Sequence, residues 1–144
     1  MSAPAMRRRV LVLCTGNSCR SQMAEGWINA LLGGRWEASS AGTHPAAAVH
    51  PLAVRAMAEA GVDVSGGVPE PVERYLDERW DLVVTVCDSA KEACPTFPRP
   101  AERVHLAFLD PATAEGTDEE RMAVFRRVRD EIKERLLPLL AARG

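Results

Sequence analysis

The sequence predicts an α/β fold in which a doubly wound sheet of about four parallel strands lies between two layers of helices. Two observations predict it. Short apolar runs at residues 10–13 and 82–86 are typical of strands that are buried on both faces. Helical patterns lie between the apolar runs, and this alternation favours a parallel sheet. The 144 residues fit one domain, which we expect over residues 1–144 with a loose tail at residues 1–6.

The predicted strands and helices alternate along the chain. Strands are predicted at residues 10–13, 36–40, 82–86 and 103–106. Helices are predicted at residues 18–32 and 51–60, and a short helical stretch opened by Pro69 and Pro71 ends near Arg79. Gly33 and Gly61 are suited to ending the first two helices, and Pro51 suits a first helical turn. Each helix is long enough to connect two parallel strands.

A long last helix is predicted after the segment 117–120. Its residues Thr-Asp-Glu-Glu match a capping box, in which a threonine and a glutamate three residues later bind each other's backbone N–H groups. Apolar residues then recur at spacings of three or four, which predicts an amphipathic helix packed on the sheet. The apolar residues of this stripe are Met122, Phe125, Val128, Ile132 and Leu136.

Composition excludes several classes of function. The net charge is -2, and the only basic run, Arg7 to Arg9, is best interpreted as a solvated lead-in to the first strand. We therefore expect no nucleic-acid partner. No apolar run is long enough for a signal peptide or a membrane span, so we expect a cytoplasmic protein with no membrane partner. We also expect a monomer. Structural disulfides are uncommon in the cytoplasm, so four cysteines indicate metal binding, redox work, catalysis or burial.

The segment "CTGNSCRS", residues 14–21, follows the first strand and leads into the first helix. In an open parallel sheet, ligands bind at this end of the strands, where backbone N–H groups and the helix dipole favour anions. The segment is neither a Walker loop nor a dinucleotide fingerprint. Its Cys14 and Arg20 frame a loop that can curl around a tetrahedral oxyanion, with the Arg20 guanidinium holding two oxygens.

Cys14 at the base of this loop lies in the same positive field, which favours the nucleophilic thiolate. Ser21 is placed to donate a hydrogen bond to its sulfur. Gly16 and Asn17 are residue types that tolerate positive φ in a tight loop. The less specific interpretation is a buried cysteine that ends a strand beside a surface arginine.

The motif "CTGNSCRSQMAEG" resembles the active-site loop of low-molecular-weight protein tyrosine phosphatases and of the arsenate reductases that share their fold. The resemblance extends to "SSAG" at 39–42, "DLVVTVCDSAKEACP" at 81–95, "FLDPA" at 108–112 and "RRVRDEI" at 126–132. It covers nearly the whole chain from Val10, and it implies a flavodoxin-like three-layer fold.

The resemblance implies a role for each residue of the site. Cys14 would be the nucleophile, Arg20 would hold the oxyanion, and Asp110 would be the general acid. Asn17 and Ser21 would support the loop. The residues themselves also suggest a general acid at Asp110, because Pro111 restricts the Asp110 backbone to an extended conformation after the fourth strand. An ordinary Asp-Pro turn explains the same two residues equally well. The oxyanion-binding residues would be Thr15, Gly16, Asn17, Ser18, Cys19, Arg20 and Ser21.

Two more cysteines distinguish a reductase from a phosphatase. A phosphatase of this kind needs one cysteine, whereas reduction of arsenate needs a second thiol to attack the Cys14 adduct, and Cys87 follows a strand that ends at the same edge. Cys94 could then attack Cys87 and leave a Cys87–Cys94 disulfide. This relay matches the family's reductases that are recharged by thioredoxin, with no bound cofactor. The tyrosine phosphatases have an aromatic residue after Asp-Pro, where this chain has Ala112, which also favours arsenate.

Three alternatives stay open. The chain could be a phosphatase acting on phosphomonoesters, or a non-enzymatic module that binds an oxyanion or senses redox state. A zinc site is disfavoured, because the Cys-x4-Cys and Cys-x6-Cys spacings differ from those of ribbons and fingers. The resemblance also implies a monovalent cation beneath the loop, near Asn17, Glu25 and Ser40, with Glu70 as the nearest candidate for a further ligand.

The segment between Cys87 and Cys94 favours a helix. An intact helix rises roughly 10 Å over seven residues, whereas a disulfide needs Cα atoms about 4.4 to 6.8 Å apart. We therefore expect residues 88–94 to unwind when the two cysteines join. Cys19 is expected to be a small buried hydrophobic residue that points away from Cys14.

Overall fold

A computed structural model describes residues 7–95, 97–98 and 101–143, so the expected tail at residues 1–6 lies outside the described residues. Its sheet has four strands, all parallel, in the order β2-β1-β3-β4. The predicted α/β fold is confirmed. The strands are β1 Arg8–Cys14, β2 Trp36–Gly42, β3 Leu82–Thr85 and β4 Glu102–His105.

The central strand β1 lies at the middle of the core. It pairs with β2 on one side and β3 on the other, so that Cys14 lies opposite Gly42 and Leu13 lies opposite Thr85. Residues 10–13 are completely buried. A strand without an exposed face needs apolar side chains on both faces, which explains the unbroken run Val-Leu-Val-Leu.

In the part of the chain that the structure describes, four α-helices and two 3-10 helices connect and cover the strands. Helix α1 begins two residues later than predicted, because Cys19 has a φ of -124° and a ψ of -82°, which are not helical values. The stretch predicted from Pro69 to Arg79 forms only a four-residue 3-10 helix, and the Tyr75 carbonyl then closes a turn by accepting from the Glu78 N–H and the Trp80 indole N–H. The helices are α1 Arg20–Leu31, α2 Pro51–Glu59, α3 Asp88–Ala93 and α4 Asp118–Arg143, with 3-10 turns at Val72–Tyr75 and Pro111–Thr113.

Helix α4 begins with the predicted capping box. Thr117 N–H donates to Glu120 Oε1 over 3.2 Å, and Glu120 N–H donates to Thr117 Oγ1 over 3.1 Å. The predicted apolar stripe of α4 is buried throughout. Trp27 of α1 donates its indole N–H to the Arg129 carbonyl over 3.0 Å, which ties α1 to α4. These contacts fix α1, and with it the loop that precedes α1.

Among the described residues, none of the helices is both long and apolar enough to cross a lipid bilayer.

Candidate active site

The loop between β1 and α1 is held from outside by the chain that follows β2. Carbonyl groups of the loop accept hydrogen bonds of 2.8 to 3.2 Å from backbone N–H groups in residues 43–50. Because C=O and N–H point in opposite directions across a trans peptide, the N–H groups that follow these carbonyls point toward the inside of the loop. The donor–acceptor pairs are Thr43 to Cys14, His44 to Thr15, Ala46 to Gly16 and His50 to Ser18.

The close approach of β2 to the loop requires a glycine. A Cβ atom on Gly42 would lie 2.6 Å from the Thr15 carbonyl oxygen and 3.1 Å from the Asn17 nitrogen, so any side chain there would displace the loop. This contact gives a physical reason for the glycine that ends "SSAG".

Cys14 is 3% exposed at the end of β1, and polar groups surround its sulfur. Asn17 N–H donates to Cys14 Sγ over 3.1 Å, and Ser21 Oγ lies 2.8 Å from the same sulfur. Asn17 Nδ2 donates to Ser21 Oγ over 2.7 Å, which leaves the Ser21 hydroxyl hydrogen directed at Cys14. Two donors to sulfur stabilise a thiolate, the form that attacks electrophiles.

Asn17 connects this sulfur to the rest of the protein. It has the positive φ that was expected of it, whereas Gly16 does not. Its Oδ1 accepts from Gln22 Nε2 over 3.2 Å and from the Glu70 backbone N–H over 2.9 Å. The Asn17 side chain is completely buried, and these bonds fix its orientation.

Arg20 and Asp110 face each other across the mouth of the loop. Arg20 Nη1 donates to the Phe108 carbonyl over 3.1 Å, and Arg20 Nη2 lies 3.7 Å from Asp110 Oδ2. Asp110 Oδ1 accepts from the Ala112 N–H over 3.0 Å, as the cap of the 3-10 turn that follows. The Asp110 side chain is 39% exposed, so it is in contact with solvent.

These groups enclose a cavity of about 170 Å3. This volume is below the roughly 300–1,000 Å3 of pockets for drug-sized ligands, and it suits a small oxyanion. Cys19, the N-cap of α1, makes no side-chain capping hydrogen bond, so the first N–H groups of α1 are left for an anion. The cavity is lined by Cys14, Thr15, Gly16, Ser18, Cys19, Arg20, Asp110 and Ala112.

A second thiol is bound to the same loop. Cys87 is 5% exposed, and its Sγ lies 3.4 Å from Thr15 Oγ1. It is also the N-cap of α3, where its sulfur accepts from the Ala90 N–H over 3.4 Å. These two contacts hold the Cys87 sulfur between α3 and the Cys14 loop.

Cys94 lies at the other end of α3, as its C-cap, so the helix predicted between the two cysteines is present in full. Cys94 is half-buried, and Arg103 Nη1 lies 3.9 Å from its sulfur. Burial raises the pKa of the Cys94 thiol, and the charge of Arg103 partly opposes that effect. The four cysteines are free thiols.

Comparison with known proteins identifies the family. The family model for low molecular weight phosphotyrosine protein phosphatase matches residues 9–143. The chain belongs to the low molecular weight phosphotyrosine protein phosphatase family. It is 54% identical over 132 residues to the arsenate reductase of Halalkalibacterium halodurans, covering 91% of this chain and 94% of that protein.

Solved structures of the family resemble the fold closely. An arsenate reductase in the oxidized state superposes with a TM-score of 0.81 at 31% identity, covering 95% of this chain and 99% of that one. An arsenate reductase in the phosphate binding state superposes with a TM-score of 0.71 at 33% identity, covering 94% and 98%.

Cys19 differs from the other loop cysteine of this phosphatase-family site. It is 5% exposed, and burial raises the pKa of its thiol to about 11. It is thus the buried residue that was expected. Cys19 is also among the residues that line the cavity.

The implied cation site is only partly assembled. Ser40 Oγ donates to Glu25 Oε1 over 3.2 Å, and burial raises the pKa of the Glu25 carboxyl. The Glu70 carboxylate instead pairs with Arg74 over 2.9 Å. Within the described ranges, no three His, Cys, Asp or Glu side chains form a metal-binding group.

Sequence reasoning missed the residues that support the loop from a distance. Gln22 is a buried polar residue inside a helix, and Gly42 is a glycine at a strand end; both are signals of a close polar or backbone contact. The hydrogen bond between Thr15 and Cys87 joins residues 72 positions apart. No local pattern could have shown that contact.

Proposed function

We propose that this protein reduces arsenate to arsenite through Cys14, Cys87 and Cys94, and that thioredoxin restores the thiols. The observation that carries the proposal is the 3.4 Å contact between Cys87 Sγ and Thr15 Oγ1, which attaches a second buried thiol to the loop that holds the first. A relative with 54% identity that is named an arsenate reductase supports it. The relay also fits a reducing cytoplasm, where thiols persist and thioredoxin acts.

In the first step the loop binds arsenate and Cys14 attacks it. The inward N–H groups and Arg20 neutralise the oxyanion, while the Asn17 N–H and the Ser21 hydroxyl hold the Cys14 sulfur in place at the base of the loop. A bond forms between sulfur and arsenic(V), and one arsenate oxygen leaves as water after it accepts protons. Asp110, 3.7 Å from Arg20 and partly open to solvent, is placed to supply a proton to that oxygen.

In the second step the Cys87 thiolate attacks the Cys14 sulfur. A Cys14–Cys87 disulfide forms, the sulfur–arsenic bond breaks, and its electron pair stays on arsenic. Arsenic(V) thereby becomes arsenic(III), which leaves as arsenite, while two thiols are oxidised to one disulfide. The contact between Cys87 Sγ and Thr15 Oγ1 supports this step, since it places the attacking sulfur beside the loop that holds Cys14.

In the third step the Cys94 thiolate attacks the Cys87 sulfur and releases the Cys14 thiolate. The product is a Cys87–Cys94 disulfide, which a dithiol of thioredoxin reduces by two further exchanges. Helix α3 separates the two cysteines, and a disulfide tolerates only about 4.4 to 6.8 Å between Cα atoms. The helix must therefore unwind, which also exposes the disulfide to its reductant.

A coupled assay tests the proposal with arsenate, thioredoxin, thioredoxin reductase and NADPH. We expect NADPH oxidation that depends on arsenate and is lost in Cys87→Ser and in Cys94→Ser. Both variants should still bind phosphate, because neither residue lines the oxyanion cavity. Oxidation that persists in both variants would exclude the relay.

A phosphatase acting on phosphomonoesters is the second candidate. The arrangement of Cys14, Arg20 and Asp110 supports it, since this chemistry needs no second thiol. The small side chain of Ala112 at the cavity provides no ring to stack on an aromatic ester. We expect at most a side activity on p-nitrophenyl phosphate, and turnover of this ester without arsenate-dependent oxidation would favour the phosphatase.

A further inference from the structure

Three hydrogen-bonded side chains connect the residues on either side of Cys87. Thr85 Oγ1 lies 2.8 Å from His105 Nδ1, and His105 Nε2 lies 2.8 Å from Asp88 Oδ1. Thr85 precedes Cys87 by two residues and Asp88 follows it directly. His105 comes from β4, the neighbouring strand, so one side chain on another strand holds the backbone on both sides of Cys87.

Both ring nitrogens of His105 are used, which fixes the plane of the ring. In the neutral tautomer that carries its proton on Nε2, the ring donates to Asp88 and accepts from Thr85. The His105 side chain is 23% exposed, whereas that of Asp88 is 83% exposed. An exposed aspartate would not hold a fixed position without its partner. We call Thr85, His105 and Asp88 the Cys87 clamp.

The two ends of α3 are held differently. The clamp and the bond from the Ala90 N–H to Cys87 Sγ both hold the N-terminal end. The C-terminal end carries Cys94, which borders a cavity of about 290 Å3. The contacts given for the C-terminal end come from Arg103, an exposed side chain that lies 3.9 Å from the Cys94 sulfur and donates to the Pro95 carbonyl over 3.3 Å. Because one exposed side chain holds less firmly than the clamp, we expect α3 to unwind from this end. The cavity is lined by Val83, Thr85, Cys94, Arg103, Val104 and His105.

We propose that His105 is a positioning residue of the relay: through Thr85 and Asp88 it holds Cys87 against the Cys14 loop, and it stops the unwinding of α3 at Asp88. The inference rests on the proposed function, because the relay needs a fixed Cys87 and a mobile Cys94. With the clamp in place, Cys94 moves toward Cys87 while Cys87 stays within reach of Cys14.

The clamp can be tested without any reduction, by following the alkylation of each cysteine with iodoacetamide in the full chain. We expect His105→Ala and Asp88→Ala to raise the rate at Cys87 about tenfold, equivalent to the net contribution of about one hydrogen bond. The rate at Cys14 should not change. Asp88→Asn keeps an acceptor oxygen and should restore the slow rate at Cys87.

Glu92→Ala is the matched control, since Glu92 is also an exposed carboxylate on α3. It should leave both rates unchanged. Unchanged alkylation of Cys87 in both clamp variants would overturn the proposal. An equal rise at Cys14 and Cys87 would also overturn it, because that result indicates general loosening of the fold. The Asp88 side chain is exposed, so Asp88→Ala should fold normally and still tests the clamp if His105→Ala does not fold.

A second measurement isolates the transfer from Cys14 to Cys87. In Cys94→Ser the relay stops at the Cys14–Cys87 disulfide, so each chain should release one arsenite. Adding His105→Ala or Asp88→Ala should slow this release about tenfold at saturating arsenate. The phosphate concentration that half-protects Cys14 from alkylation should not move, since the clamp lies outside the oxyanion cavity.

The outcomes separate the two proposals. If Cys94→Ser alone releases no arsenite, the proposed function fails, whereas the alkylation rates still decide whether the clamp holds Cys87. If release is as fast with the clamp variants as without them, the positioning role is wrong. A parallel loss of release rate and of phosphate protection would likewise contradict it, since a positioning residue changes the rate alone.

Discussion

Cys14 and Cys19 lie in one loop and are both buried, yet their surroundings give them opposite reactivity. Cys14 Sγ receives hydrogen bonds from a backbone N–H and a hydroxyl group. For Cys19 burial is the largest influence, and it raises the pKa of the thiol to about 11. Cys14 thus has two polar partners for its sulfur, whereas the loss of solvation on burial favours the neutral thiol of Cys19.

Substitution of each loop cysteine by serine should therefore give different results. We expect Cys14→Ser to abolish arsenate-dependent NADPH oxidation, because serine is not ionised at neutral pH and forms no disulfide. Cys19→Ser should keep most of the activity. The coupled assay measures both, with the melting temperature of each variant as a control for folding. Loss of turnover in a well-folded Cys19→Ser would show that Cys19 takes part in the chemistry.

The raised pKa of Cys19 predicts a steep pH dependence of its alkylation. Only the thiolate reacts, and its fraction grows about tenfold per pH unit below the pKa. We expect the alkylation rate of Cys19 to rise throughout the range from pH 8 to pH 10. Peptide mapping by mass spectrometry after timed exposure to iodoacetamide measures it, and a plateau below pH 9 would contradict it.

Helix α3 is the element on which the relay depends. We expect oxidised protein, with the Cys87–Cys94 disulfide, to lose amide protection over residues 88–94, because the disulfide and the helix are geometrically incompatible. Hydrogen exchange of the oxidised and reduced forms, followed by mass spectrometry, measures this difference. Helix α1 is the internal control and should keep its protection. Identical exchange of α3 in both forms would exclude unwinding.

The capping box of α4 predicts a measurable stability effect. Thr117→Ala removes the hydroxyl that accepts from Glu120 N–H, and a lost N-cap costs about 1 kcal/mol. Urea denaturation should show this decrease in the free energy of unfolding. Thr117→Ser keeps the oxygen and should be close to the parent protein. Equal losses in both variants would show that the hydroxyl bond contributes little.

Elements were predictable where one physical cause acts locally. Strand β1 could be predicted because burial on both faces requires an unbroken apolar run, and the apolar stripe of α4 could be predicted from its helical periodicity. The start of α1 was placed two residues early because the anion loop continues to Cys19, whose backbone is not helical. The segment after Pro71 formed a shorter helix than predicted, because the Trp80 indole, a side chain from outside the helix, binds its last carbonyl.

At the scale of the whole molecule, the parallel sheet brings distant residues together. Cys14 ends β1, whereas Cys87 and Asp110 follow β3 and β4, and parallel strands end at one edge. That rule predicted from sequence that Cys14 and Cys87 lie at one edge, whereas the role of Asp110 came from the family resemblance. It could not give the Cys87 clamp, because which side chain of β4 meets α3 depends on the register of β3 with β4, where Thr85 lies opposite His105.

The stability of the whole molecule should depend on pH through Glu25. Burial raises the pKa of this carboxyl, and the hydrogen bonds from Ser40 only partly oppose the effect. A carboxyl group with a raised pKa is easier to bury neutral than charged. Its contribution to stability is therefore complete below the unfolded pKa of about 4.3, where the group is neutral in both states. This contribution is lost as the pH rises through the pKa of the folded state and the buried group ionises. Removing the charge should therefore help most at neutral pH.

We accordingly expect Glu25→Gln to gain free energy of unfolding relative to the parent as the pH rises from 4 to 7. Urea denaturation at each pH measures the difference between the two proteins, in which the other carboxylates cancel. If the difference in the free energy of unfolding does not change with pH, the Glu25 carboxyl ionises equally well in the folded and unfolded states. If a monovalent cation binds beside Glu25, KCl should flatten the difference relative to choline chloride at equal ionic strength, because a bound cation stabilises the carboxylate in the folded state.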